Sequence, residues 1–268
     1  MSRDDTRTTE APLGGTSTPF AALAMYAFEP LLGAWEQLYE AVARGVDSAP
    51  ERLRWDLDPH DTWLSPNLAV GMACGWPLVN ALRERVLTIG TFAYTIDGSS
   101  SHTYRSVIIA RTPASMIDLI GATAAINSGD SLSGSISLVS ALPPEYDTWP
   151  GPIVATGSHV ASIAAVCSGQ ADLASIDALT WAYLQRDAVH TLSGLFVVDR
   201  GPVVAHLPII TNAHAGEAKV AEWRAALAAA ITEPALADAR DTLLITGFFP
   251  LDASDYENSL DALRRERA

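Results

Sequence analysis

A chain of 268 residues, 49% of them hydrophobic, can bury a large core in one domain or in two lobes of ordinary size. The formal net charge is −14 and Lys219 is the only lysine, which excludes a phosphate-tracking groove for nucleic acid. Charged residues or turn formers interrupt every apolar run before the roughly 18 residues that a membrane-spanning helix needs, so the chain is not expected to span a membrane.

The first twenty residues, MSRDDTRTTEAPLGGTSTPF, are polar and rich in Thr, Gly and Pro, and they lack the apolar core of a signal peptide. Residues 1–19 are therefore expected as a disordered tail. As written, the chain is expected in the cytoplasm, and in a periplasmic or extracellular space only with a further leader. Leu31, Leu32, Trp35, Leu38, Tyr39 and Val42 recur at helical spacing before Gly45, which predicts an amphipathic helix over 30–44. Residues 46–66 read as loop, and Trp55 and Trp63 within it are expected to pack on the body or rim a crevice. The chain turns at Cys74-Gly75-Trp76-Pro77, a short helix follows at 77–84, and Val86 to Tyr94 have the β-branched and aromatic character of a strand.

Gly98 to Ser101 form a turn before Tyr104 to Ala110, a strand apolar enough to be covered on both faces. A short helix at Met116 to Ile120 and a buried strand at Ala122 to Ile126 lead to the polar loop Asn127 to Gly134, which runs into a helix at 133–142. Residues 153–181 then read as strand, turn, helix, turn, strand and a second helix. Ser158 stands as an N-cap, Gly169 closes the first helix, and Asp177 falls where the second strand ends. In a parallel α/β layer, strand C-termini and helix N-termini share one edge, so Ser158, His159 and Asp177 are expected on one crevice.

Leu195 to Val198 and Val203 to Ile210 read as strands broken by Asp199-Arg200-Gly201-Pro202 and by Pro208. An alanine-rich helix at 214–231, a short helix at 234–241, an apolar run from Leu243 to Phe249 and a last helix at 254–267 complete the chain, with Ser254 and Glu257 at capping-box spacing. This alternation predicts a mostly parallel α/β protein. The cysteines, Cys74 and Cys167, are expected as buried free thiols, with a single disulfide as the alternative. The histidines show no metal-ligand spacing, and no Walker loop, dinucleotide fingerprint or nucleophile elbow is present, so no metal or cofactor is expected. Ser158 and His159 are adjacent and point apart on a helix, which is no dyad signal.

Seven blocks occur in an order that resembles the phosphonate-binding family of ABC-importer solute receptors. They are Ala24-Met25-Tyr26, Cys74 to Leu78, Tyr104-Arg105-Ser106, Asn127 with Ser131 to Gly134, Gly157-Ser158-His159 with Ala161-Ser162, Asp172 to Asp177, and Pro208. The resemblance covers roughly residues 20–250. It implies a two-lobed α/β fold of the type II periplasmic-binding-protein class, with ligand held between the lobes. It further implies crossing strands near 104–111 and 195–211, a first lobe of 20–105 and 199–268, and a second lobe of 106–198. In such receptors the loop matching Ser131-Leu132-Ser133-Gly134 presents hydroxyls and helix-start amides to phosphonate oxygens, and the position of His159 adds a donor. Orphan N–H groups at a helix start bind oxyanions without a lysine. Tyr26 and Tyr94 are expected to close on the ligand from the first lobe.

The expected ligand set is thus Tyr26, Tyr94, Ser131, Ser133, Gly134, Ser158, His159 and Asp177. Ser131 and Ser133 have helix capping as their other reading. Asp177 either caps its own helix or faces the ligand, where it would repel a bare dianion and favour an amine or a protonated oxygen. The expected function is binding of a small phosphonate-, phosphate- or sulfonate-like anion, with an ABC permease as partner by resemblance. A cytosolic lyase- or dehydratase-like enzyme on the same scaffold, with His159 or Asp177 as general acid or base, and an intracellular ligand sensor are the alternatives.

Overall fold

The computed structural model describes residues 18–266, so most of the expected N-terminal tail lies outside the described residues. The strands are β1 (Phe20–Ala22), β2 (Leu68–Met72), β3 (Val86–Tyr94), β4 (Thr103–Ala110), β5 (Ala124–Ile126), β6 (Ile153–Ala155), β7 (Leu173–Ile176), β8 (Phe196–Ala205), β9 (Ile209–Asn212) and β10 (Ile245–Phe249). They form two five-stranded sheets, ordered β1-β2-β9-β3-β10 and β6-β5-β7-β4-β8. The first sheet carries the helix Glu29–Ala43, whose apolar stripe of Leu31, Trp35, Leu38, Tyr39 and Val42 is buried against it. Pro30 starts that helix, where its missing N–H costs nothing.

The sheets are mixed, not mostly parallel. β1 pairs with β2 and β5 with β6 and β7 in parallel, while β2 and β3 with β9, β3 with β10, and β4 with β7 and β8 are antiparallel. In the first sheet the antiparallel pairs join strands on either side of the excursion into the second sheet, whereas β4 pairs antiparallel with β7 and β8 without leaving the second; helix alternation along the chain reveals neither.

β8 is one continuous strand from Phe196 to Ala205, contrary to the break expected at 199–202. Pro202 is tolerated because β8 pairs only with β4 and lies at the sheet edge, where a missing N–H leaves no ladder bond unmade. Register shifts between Arg105 and Val107 and between Ile108 and Ile109 absorb the irregularity. β4 and β8 belong whole to the second sheet, so the chain passes between sheets at 95–102 and 206–208, and the boundaries expected at 105 and 198 fall inside those two strands.

Two smaller expectations also change. The last helix spans Ala253–Glu266, and its start is tied by Asp252 and Asp255, with Asp252 N–H donating to Asp255 Oδ2 at 2.7 Å; the Ser254 and Glu257 pair does not make this tie. Both cysteines are free, but Cys167 is exposed, because it falls on the solvent side of its helix while Ile163 and Val166 face inward.

One buried cluster runs through both sheets, holding Leu68, Val86 and Ile210 of the first with Val107, Ala174 and Val204 of the second. At the 206–208 passage His206 is 1% exposed, stacked on Tyr104 at 4.8 Å and bonded through Nε2 to Ser99 Oγ at 2.9 Å. Its neighbour across the other passage, His102, accepts the His206 backbone N–H at 2.9 Å. The two passages are therefore laced together by one imidazole and one backbone bond.

Candidate functional site

A cavity of about 380 Å³ lies between the two sheets. Its floor on the second-sheet side comes from three chain turns that follow β5, β6 and β7. Ser131 and Ser133, after β5, are 5% and 4% exposed. Ser158, after β6, caps the helix His159–Ser168 by accepting the Ala161 N–H at 3.1 Å. Asp177, after β7, caps the helix Ala178–Asp187 by accepting the Thr180 N–H on Oδ1 at 2.9 Å.

Ser133 Oγ and His159 Nε2 lie 2.9 Å apart, so the hydroxyl and the imidazole act as one unit whose proton position depends on the ring tautomer. Burial holds the His159 imidazole below its ordinary range, opposed by the charge of Asp177 and by the backbone of Ser175. Its Nδ1 is buried without a well-formed hydrogen bond, and so is Asn127 Oδ1 on the neighbouring turn. Asn127 and Gly134 explain one another: a Cβ at Gly134 would coincide with Asn127 Oδ1 and would stand 3.2 Å from His159 Cε1.

The amides of the Ser131 to Gly134 turn are less available than expected. The Gly134 N–H donates to Ser131 Oγ at 3.0 Å and the Leu132 N–H to Cys74 Sγ at 3.4 Å. Ser131 is thus an N-cap that also lines the cavity. The turn itself is wide, Leu132–Ile136, before it tightens into Ser137–Ser140.

The opposite wall belongs to the first sheet. Tyr26 is 3% exposed and donates its Oη to Asp177 Oδ2 at 3.3 Å. Burial and the facing Asp177 charge raise the Tyr26 phenol well above its ordinary value, so it remains a donor. Asp177 therefore caps its helix with one oxygen and faces the cleft with the other. Both oxygens accept, one from the Thr180 N–H and one from the Tyr26 hydroxyl.

Of the eight expected site residues, Tyr26, Ser131, Ser133, Ser158, His159 and Asp177 line the cavity. Gly134 stands behind it, shaping the turn. Tyr94 does not line it: at the end of β3 its ring packs edge-on against His206 at 4.9 Å and against Phe92 at 6.3 Å. Burial against these aromatics outweighs exposure to a cleft for a large ring.

At the mouth, sequence reasoning singled out Trp63 but not Asp58, His60 or Asp130. Asp58 caps the short helix Pro59–Leu64, accepting the His60 N–H at 2.8 Å, with Pro59 in the first turn. That Asp-Pro pair was the available signal, because a cap followed by proline starts a helix. His60 Nδ1 lies 3.6 Å from Asp58 and Nε2 lies 3.5 Å from Asp130 on the second-sheet side. Trp63 is buried beside them, with Nε1 donating to Met72 O at 2.9 Å. Asp58, Asp130 and Asp177 all line the cavity, and among the described residues no lysine or arginine does. Among the described residues no cluster of His, Cys, Asp and Glu is arranged to hold a metal ion, and no helix is long and apolar enough to cross a membrane.

Comparison with known proteins agrees with this geometry. The family model described as ABC transporter, phosphonate, periplasmic substrate-binding protein matches residues 67–256. No curated protein matches the sequence. Among solved structures, PhnD1 from Prochlorococcus marinus in complex with methylphosphonate is similar with a TM-score of 0.71 and 14% identity, over 93% of this chain and 97% of that one. A binding-protein component of an ABC phosphonate transporter from Pseudomonas aeruginosa has a TM-score of 0.68 at 12% identity, over 93% and 95% of the two chains. The alkanesulfonate-binding protein SsuA from Xanthomonas axonopodis pv. citri bound to MOPS has a TM-score of 0.60 at 14% identity, over 93% of each chain. The fold is that of the type II periplasmic binding proteins.

Proposed function

Because the chain belongs to the phosphonate-binding family of ABC-transporter substrate-binding proteins, we propose that its cleft closes on a small zwitterion, a phosphonate-like head joined by a short chain to an ammonium group. The head would sit at Ser133 and His159, with Ser131, Ser158 and Asn127 around it. The observation that carries this reading is the Ser133 hydroxyl and the His159 imidazole, 2.9 Å apart in the cavity lining, with the Asp177 carboxylate on the same floor. Asn127 lines the same wall, so a carboxamide, a hydroxyl and an imidazole are available there to an oxyanion.

The ammonium is assigned to Asp177, on the same floor, and to the acidic mouth at Asp58 and Asp130. Among the described residues the cavity lining contains three carboxylates and no fixed cation. A bare dianion entering beside Asp177 meets like charge in a partly desolvated space, whereas an ammonium there gains a charge-assisted bond. The two lobes would hinge at 95–102 and 206–208, and the closed form would present its surface to a permease, as members of such transport systems do.

Thermal unfolding with 2-aminoethylphosphonate, ethylphosphonate, ethyl phosphate and ethanesulfonate tests the reading. At a concentration about 100 times Kd a ligand adds about 2.7 kcal/mol, which reads as a clear rise in Tm. The amine-bearing phosphonate is expected to stabilise most, and Ser133→Ala to remove the shift. No stabiliser in the panel would overturn the reading.

A further inference from the structure

The turn that carries the two cavity serines also carries the residue that touches the other sheet. Leu132, between Ser131 and Ser133, is 3% exposed and shares a buried cluster with Cys74, Leu78 and Tyr256. It lies directly over Gly75: a Cβ there would stand 3.0 Å from Leu132 Cδ2 and 3.7 Å from Tyr256 Cδ1. The Leu132 N–H reaches Cys74 Sγ at 3.4 Å. Cys74 and Gly75 follow β2 of the first sheet, whereas Leu132 follows β5 of the second. Ser131 and Ser133 line the cavity and Leu132 does not. One turn therefore faces the cavity with its hydroxyls and grips the opposite lobe with its leucine.

We propose that Leu132 seated over Gly75 couples closure of the lobes to presentation of the Ser131 and Ser133 hydroxyls, which makes Leu132 a positioning residue for ligand capture. Opening the cleft pulls the leucine out of its seat, exposes apolar surface and frees the amide from the thiol, so the seat favours the closed arrangement by an amount lost only on opening. The same opening releases the turn from its constraint on the first lobe, so the serines lose their fixed positions at that moment. A glycine at 75 is what lets the leucine approach so closely. The ligand part of this proposal rests on the function proposed above; the closure part stands on the contact itself.

Cys74 provides the readout. It is 7% exposed beneath Leu132, and burial pushes its thiol up to about 11, which keeps it slow to alkylate while the lobes are together. In a Cys167→Ser background, which removes the exposed thiol, the N-ethylmaleimide rate at Cys74 reports opening of the free protein. Leu132→Ala is expected to raise that rate roughly tenfold and to weaken 2-aminoethylphosphonate binding by a similar factor, with Leu132→Met restoring both.

Gly75→Ala is the second variant, and it separates coupling from mere access. It adds volume above the thiol, so a simple packing role predicts slower labelling, whereas displacement of Leu132 predicts faster labelling. Faster labelling in both variants, together with weaker ligand binding, supports the proposal. Unchanged or slower labelling in Gly75→Ala overturns it, and so does faster labelling with unaltered ligand affinity in both variants. Failure of the wild type to bind 2-aminoethylphosphonate would overturn the ligand reading alone, since labelling is measured on the free protein.

Discussion

His206 makes the stability of this protein depend on pH in a way its geometry predicts. The ring is enclosed by Tyr104 and Tyr94, with Ser99 on Nε2 and His102 nearby. Burial, and secondarily the His102 charge, push its pKa from 6.5 down to about 3. A depressed folded value means that the stability it preserves is fully present above the unfolded value of 6.5 and is lost as pH falls toward 3. Within that window the unfolded chain takes a proton that the folded chain refuses, at about 1.4 kcal/mol per pH unit. At pH 5 the loss relative to neutral pH is about 2 kcal/mol. Urea unfolding of the wild type and His206→Gln at pH 7.5 and pH 5 measures it. Glutamine keeps an amide for Ser99 and does not titrate, so the wild type is expected to lose about 2 kcal/mol more than the variant between the two conditions. Equal losses would refute the reasoning, whatever the absolute stability of the variant.

Two further outcomes follow from local geometry. Gly134→Ala puts a Cβ on the Asn127 carboxamide and against the His159 ring, so it is expected to cost about 1–3 kcal/mol in chemical unfolding and to abolish ligand-induced stabilisation. Ser158→Ala removes the acceptor of the Ala161 N–H and is expected to cost about 1 kcal/mol, while Ser158→Asp, which keeps a capping oxygen, recovers it.

Signals carried within a few residues were legible in the sequence. β3 spans Val86–Tyr94 as its β-branched and aromatic run predicts, and the helix Glu29–Ala43 follows its apolar spacing to within a residue. Ser158 caps, Gly169 ends its helix at φ 80°, and Asp177 stands at a strand-to-helix junction, because capping is decided by neighbours in the chain. Pairings across long separations were not legible. β4 meets β8 across more than eighty intervening residues, and nothing local in Asp199 to Pro202 says that an edge position will accept the proline. Tyr94 shows the same limit at the site, since its burial depends on His206, far along the chain. The mouth formed by Asp58, His60 and Asp130 exists only once the two lobes meet.

The central claim is a cleft that takes an oxyanion at Ser133 and His159 and an ammonium beside Asp177. Isothermal titration of the wild type and Asp177→Asn with 2-aminoethylphosphonate and ethylphosphonate tests it most directly. Asparagine still caps the helix, so the change removes charge more than structure. The wild type is predicted to prefer the amine-bearing ligand by roughly 10–100-fold, a charge-assisted bond of about 1.5–3 kcal/mol, and Asp177→Asn to lose that preference. Equal or tighter binding of ethylphosphonate by the wild type would contradict the account.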